Sequence, residues 1–205
     1  MQMQPHHRER ARTVAQHEMG HHIIARIMGF ATDEVTVRII GHDGHDGSAT
    51  IQLAQSLTSL DAIKSYLERR VLVLYAGALA ETLTPRQTPE RGVDNDKAVE
   101  IIRGAKGAEQ DHAKAREAIT LIRNILHPGT QDEAVVQSEL DAIELRLWMR
   151  ATELVEQFEE VIVGVAGALT EQLKADNAPR TFVATLTKET LDNIPNIKEL
   201  PRLEP

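Results

Sequence analysis

The sequence predicts an α+β fold that is dominated by helices and contains one small β-hairpin. Apolar residues recur at helical spacing over most of the 205 residues, and one short region alternates with a period of two. Aromatic residues make up only 3% of the chain, so aliphatic residues and alanine must fill the core, which favours closely packed helices. The length allows one core of good size, or one core with a helical appendage.

Composition and charge exclude several classes of protein and site. Charged residues make up 26% and apolar residues 41% of the chain, which is typical of a folded globular protein. The net charge of -8 argues against non-specific binding to nucleic acid. Because there is no cysteine, any metal must be held by His, Asp or Glu. No apolar run approaches the roughly 20 residues that span a bilayer, and the first residues do not resemble a signal peptide, so we expect a cytoplasmic protein without a membrane segment.

The first helix is predicted from about Glu9 to Met28, after a flexible segment of residues 1–8. Gly29 provides a natural end just past it. One face of this helix carries a stripe at helical spacing, formed by Val14, His17, His21, Ile24 and Met28.

A β-hairpin is predicted next. The strand that begins at Val35 and ends at Ile40 alternates apolar and polar residues, and a second alternating run begins at Ala49 and ends at Leu53. A turn rich in glycine and aspartate, residues 41–47, joins them. Its histidines, His42 and His45, are interpreted as part of a solvated turn rather than as metal ligands.

The rest of the chain is predicted to be mainly helical. A capping box at Thr58 opens the next helix, a loop with two prolines covers residues 84–92, and Gly104 and Gly107 mark a break. After Pro179 we expect a short extended segment, a helical turn near residues 187–194 and a flexible tail of residues 195–205. The helical segments after the hairpin are predicted at residues 58–83, 94–103, 111–126 and 132–175.

The chemical motif is His17-Glu18-Met19-Gly20-His21 in the first helix. Residues four apart lie on one helical face, so one Zn²⁺ at about 2.0–2.1 Å from each nitrogen can bridge both imidazoles. Glu18 can take a proton from a zinc-bound water without coordinating the metal itself. This chemistry hydrolyses amides, and it requires a third protein ligand and one open coordination position.

The residues alone leave the third ligand open. The competing interpretation of the motif is a pair of hydrogen-bonded histidines on a helix face, with Glu18 in solvent; the coherent face inside a periodic helix favours the metal. His22 points about 100° away from His21 and is interpreted as a supporting or surface residue. The candidates for the third ligand, several of which are equally well explained as helix caps, are Glu81, Asp94, Asp96, Glu100, His112 and His127.

The motif and its context resemble the peptidase domain of FtsH-type ATP-dependent zinc proteases. Residues 17–21 resemble the family's His-Glu-Ala-Gly-His helix, residues 33–39 its following strand, residues 75–83 a helix end, and residues 92–98 its Gly-Ala-x-Asn-Asp segment. The resemblance spans about residues 9–194. It implies a zincin-like peptidase domain with a C-terminal helical bundle, a homo-oligomer, and Asp96 as the third zinc ligand beside His17 and His21.

One departure from that family shapes the expected substrate. No Gly-x-x-x-x-Gly-Lys-Ser/Thr nucleotide-binding loop occurs in this sequence. We therefore expect an endopeptidase for unfolded or flexible polypeptides, or a partner of a separate ATPase. An exposed sheet edge, either residues 35–40 or residues 49–53, is expected to bind the peptide as an added strand. The alternative is a non-catalytic helical interaction domain that contains zinc.

Overall fold

The computed structural model describes residues 4–84, 92–104 and 107–205 and has the predicted α+β, mostly α class. Most of the predicted loop at residues 84–92 and the residues between Gly104 and Gly107 lie outside these ranges. The strands are β1 (Ala31–Ile40), β2 (Gly44–Gln52), β3 (Lys174–Ala175) and β4 (Thr181–Leu186). The helices are α1 (Pro5–Ile27), α2 (Leu60–Glu81), α3 (Asn95–Arg103), α4 (Glu109–Leu126), α5 (Glu133–Gln157), α6 (Glu159–Glu171), α7 (Lys188–Asp192) and α8 (Pro195–Lys198).

Helix α1 is the central element, because it packs against the sheet on one side and against α2 on the other. It begins one turn before the predicted start, where Pro5 suits the first helical position and Gln4 and His7 form a capping box. Gly20 allows the close approach to α2: a Cβ there would lie 2.5 Å from the carbonyl oxygen of Ala76. The motif helix is therefore packed closely between α2 and the sheet.

The predicted hairpin is confirmed, and it belongs to a larger sheet. The strands are antiparallel in the order β2-β1-β4-β3, with Ile40 of β1 paired to Thr181 of β4. Val35, Val37 and Ile39 point into the core, as the alternation predicted. The turn is shorter than predicted, since Gly41 adopts a φ of 60° and β2 already begins at Gly44. Strand β1 is therefore internal, whereas β2 lies at an edge of the sheet.

The C-terminal half differs from the sequence prediction in two ways. The long helix predicted over residues 132–175 is interrupted at the buried Phe158, so that α5 packs against α2 while α6 packs against α1. The tail predicted to be flexible is packed instead: Ile197 is buried, and the amide of Leu203 donates to the carbonyl of Ile27 at 2.7 Å. Among the described helices, none is both long and apolar enough to cross a bilayer.

His22 lies in the core and not at the surface or beside the motif histidines. Its side chain is fully buried, and neither ring nitrogen has a hydrogen-bond partner within the described residues. Burial, helped by the nearby charges of Arg26 and Lys188 and opposed by Asp192, lowers the pKa of His22 from 6.5 to about 4. The imidazole is therefore neutral in the folded protein at pH 7.

We expect His22 to make the fold sensitive to acid. The unfolded chain binds this proton more tightly, so the contribution of His22 to the free energy of unfolding is complete above pH 6.5 and is lost as the pH drops towards 4. The difference in pKa corresponds to a loss of roughly 3 kcal/mol in the free energy of unfolding. Urea unfolding of wild-type and His22→Leu proteins between pH 7 and 4, with a chelator present, measures it. The leucine variant should show a smaller loss, and exposed His45→Gln should behave like wild type.

Candidate metal centre

Three side chains from two helices converge beside the sheet. His17 and His21 project from α1, and Asp111 projects from the first turn of α4. The two Nε2 atoms are 3.0 Å apart, and Oδ2 of Asp111 lies 3.2 Å from Nε2 of His21 and 3.6 Å from Nε2 of His17. Both histidines are about nine-tenths buried. The i, i+4 spacing thus places both rings on one face, as predicted.

The other nitrogen of each imidazole is held by α2. Nδ1 of His17 lies 2.8 Å from Oε1 of Glu81, and Nδ1 of His21 lies 2.7 Å from the carbonyl oxygen of Val73. A carbonyl or a carboxylate can only accept, so both Nδ1 atoms donate a hydrogen. Partners of this kind fix the tautomer of metal-binding histidines. Both Nε2 lone pairs are consequently directed at each other and at Asp111.

This donor set fits a metal ion. Two nitrogen lone pairs and a carboxylate oxygen within one small volume repel each other unless a cation lies among them, and the cluster could hold a metal. The backbone leaves room for it. A Cβ on Gly77 would lie 2.5 Å from Nε2 of His21 and 2.6 Å from Nε2 of His17, so only glycine keeps this space open.

The pKa values of His17 and Asp111 also indicate that the cluster favours a positive charge. Burial alone would lower the pKa of His17, but hydrogen bonds to Asp111 and Glu81 raise it to about 10. Burial opposes ionisation of Asp111, yet His17 and His21 hold the pKa of its carboxyl well below its usual range. The cluster therefore stabilises a proton when it holds no metal, and a divalent cation competes with that proton for the same place.

Glu18 lies next to the cluster without belonging to it. Burial raises the pKa of Glu18, and the two histidines oppose that effect. Strand β2 passes directly over this side chain, since a Cβ on Gly47 would lie 2.5 Å from Oε1 of Glu18. Glu18 is thus enclosed between α1 and the edge strand and faces the same cleft as the histidines.

The cleft has a volume of about 420 Å³ and is bordered by β2, α2 and α4. Four consecutive residues of β2, 46–49, line it. Neighbouring strand residues point to opposite faces, so the backbone edge of β2 borders the cleft. Of the two predicted edge strands, the run ending at Leu53 corresponds to β2 and lies at the edge. The run from Val35 to Ile40 does not, because β1 pairs with β2 and β4 on its two sides.

The structure brings Asp111, and not Asp96, to the two histidines. Asp96 is exposed in the first turn of α3, and Asp94 caps that helix by accepting from the amide of Lys97 at 3.0 Å. Of the other candidates, Glu81 accepts a hydrogen bond from Nδ1 of His17, the ring nitrogen that faces away from the cluster. Glu100, His112 and His127 are not among the residues that form the cluster. The short α3 packs onto α2 so that its first turn faces solvent, which is why Asp96 is not brought in.

The sequence did contain a signal for Asp111. Ala115, Ala118 and Ile122 are buried on α4, and Asp111 lies on the same face at helical spacing. A carboxylate at the start of a buried stripe requires a partner in the core. The helix begins at Glu109, two residues before the predicted start, which places Asp111 inside the first turn.

Comparison with known proteins does not assign a function to this site. No protein-family model matches the chain, and no characterised protein matches it in sequence. The functional interpretation therefore depends on the described residues themselves.

Proposed function

We propose that this chain is a zinc-dependent peptidase in which His17, His21 and Asp111 hold the metal and Glu18 is the general base. The observation that carries the proposal is the convergence of both Nε2 atoms on the Asp111 carboxylate, with Glu18 beside them in an open cleft. The resemblance of residues 17–21 to the FtsH-type motif supports the same reaction, with a different carboxylate as third ligand.

Zinc is the metal that this set of ligands suits best. Two imidazole nitrogens and one carboxylate oxygen are typical of catalytic zinc sites, which keep a fourth position for water or substrate. When bound, zinc supplies a Lewis acid and lowers the pKa of a coordinated water towards ~7. A structural site would normally have four protein ligands. Within the described residues only three gather, and they border a cleft.

The chain's own residues supply proton transfer and substrate position. Glu18 accepts the proton of the attacking water and passes it to the leaving amine, since its buried carboxylate lies beside the histidines. Among the described strands none pairs with the outer side of β2, and this edge offers backbone amide and carbonyl groups to an extended peptide. Such binding needs a substrate without its own secondary structure, so we propose unfolded or flexible polypeptides, delivered in the cell by a separate ATPase.

Metal content tests the ligand assignment directly. We expect about one zinc per chain in wild-type protein and in Asp96→Ala, and much less in Asp111→Ala. Elemental analysis of the purified proteins measures it, and Asp96→Ala is the matched control because it removes an exposed aspartate from a helix start. Loss of zinc in Asp96→Ala but not in Asp111→Ala would identify Asp96, the residue implied by the resemblance, as the third ligand.

Hydrolysis of an unfolded casein-like substrate by the same proteins tests the reaction. Cleavage by wild type and Asp96→Ala, and none by Asp111→Ala, is the expected result. Full zinc content in wild type without cleavage, even beside an ATPase, would favour the non-catalytic zinc-containing interaction domain.

A further inference from the structure

Two basic side chains line the cleft beside the metal cluster. Arg70 lies on α2, one turn before Leu74, and Lys114 lies on α4, one turn after Asp111. Arg70 is half-buried. Burial lowers the pKa of its guanidinium, and the nearby Asp111 carboxylate opposes that effect. The two cations thus border the same opening from two different helices.

The acidic side chains of the cleft already have roles or partners. Asp111 lies against the histidines, Asp46 pairs with Arg38 at 3.4 Å, and the carboxylate of Glu109 accepts from the amide of Gly107 at 3.1 Å. Glu18 is the proposed base. Within the described part of the chain, neither Arg70 nor Lys114 has a hydrogen-bond or ion-pair partner. The donors of these two basic side chains are therefore available to a ligand in the cleft.

The neighbouring arginine shows how an arginine is anchored in this fold. Arg69 donates to the carbonyl of Met28 at 2.8 Å and to Oε1 of Gln55 at 2.9 Å. Arg70, the next residue, makes no such bond although it is half-buried. The donors of a partly desolvated guanidinium that lack a direct partner gain charge-assisted hydrogen bonds when an anion binds.

We propose that Arg70 and Lys114 form a carboxylate-binding subsite of the metal cleft, so that a polypeptide carrying a carboxylate near the bound segment is selected. The inference rests on the proposed peptidase function. A guanidinium binds a carboxylate through two parallel hydrogen bonds, and a lysine adds a mobile second charge. Ile51 and Leu74 line the same cleft and can contact the aliphatic part of a glutamate side chain. The carboxylate comes either from Asp or Glu within the peptide or from its C-terminus.

Peptide binding to the zinc-loaded Glu18→Gln protein tests this subsite without turnover. Three fluorescent, N-acetylated peptides of one extended sequence serve as probes: one with a central glutamate and an amidated end, one with glutamine and an amidated end, and one with glutamine and a free C-terminus. A hydrogen bond to a charged group contributes about 1.5–3 kcal/mol, so a carboxylate peptide should bind roughly 10- to 100-fold more tightly than the amidated glutamine peptide. The carboxylate peptide that binds more tightly shows whether a glutamate side chain or the C-terminus supplies the carboxylate.

Variants of the two basic residues complete the test. Arg70→Gln and Lys114→Gln should each reduce the preference, Arg70→Lys should retain part of it, and Arg116→Gln, an exposed cation of α4 outside the cleft, should leave it unchanged. Equal affinity for all three peptides, no binding of any of them, or a preference that survives the double Arg70→Gln, Lys114→Gln change would overturn the subsite. Failure of the peptidase proposal is seen separately, as absence of cleavage by wild-type protein.

Discussion

Replacing Glu18 by glutamine is expected to lower the rate of peptide hydrolysis by roughly 10²- to 10⁴-fold, the contribution typical of general acid–base catalysis. Glutamine keeps the shape of the side chain between α1 and Gly47 of β2, but it cannot accept a proton. Because Glu18 is not one of the three clustered ligand groups, the zinc content should stay the same. Cleavage rates on an unfolded substrate, with elemental analysis of the same samples, measure both quantities.

The matched control is Glu9→Gln, which removes an exposed carboxylate from the same helix and should leave cleavage unaltered. Parallel loss of zinc and activity in Glu18→Gln would mean that Glu18 supports the metal rather than the chemistry. Unchanged cleavage in that variant would remove Glu18 from the mechanism altogether.

Gly77→Ala is expected to abolish hydrolysis by displacing the metal. The new methyl carbon would lie 2.5–2.6 Å from both Nε2 atoms, in the space next to the position a zinc ion needs at about 2.0–2.1 Å. The affinity for zinc should fall by more than about 100-fold, the upper end of the loss seen when an outer partner of a ligand is mutated. Competition with a chelator of known zinc affinity measures the change.

Gly164→Ala controls for the general effect of alanine in a helix. Gly164 lies in α6, and a Cβ there meets nothing within 4 Å, so helical propensity alone predicts equal or slightly greater stability. Circular dichroism should show that both variants fold. Wild-type zinc affinity in Gly77→Ala would contradict the position inferred for the metal between the two histidines.

Local patterns predicted the parts of the structure that depend on local interactions. The stripe through His17 and His21 predicted α1 and the shared direction of both rings, because helical spacing alone fixes it. The alternation of Val35, Val37 and Ile39 predicted β1 for the same reason. Neither pattern indicated which strand pairs with the edge of β1 that faces away from β2. β4 pairs with β1 across a long stretch of sequence, and a short extended segment carries no mark of its partner.

The carboxylate that lies against the two histidines could not be identified from local pattern, for a related reason. His17 and Asp111 meet because α2 packs against both α1 and α4, and the relative shift of three helices decides which turn of α4 reaches the histidines. Spacing borrowed from a related motif led to Asp96, which lies on the separate helix α3. The break at Phe158 was missed because the apolar stripe continues through it, while the packing partner changes from α2 to α1.

The pairing of β1 with β4 also bears on the order in which the protein matures during synthesis. A ribosome releases both histidines and Asp111 well before Thr181, the residue that pairs with Ile40. Until then β1 has a hydrogen-bonded neighbour on one side only, and its hairpin with β2 depends on packing against α1. The sheet beside Glu18 is therefore completed only late in translation.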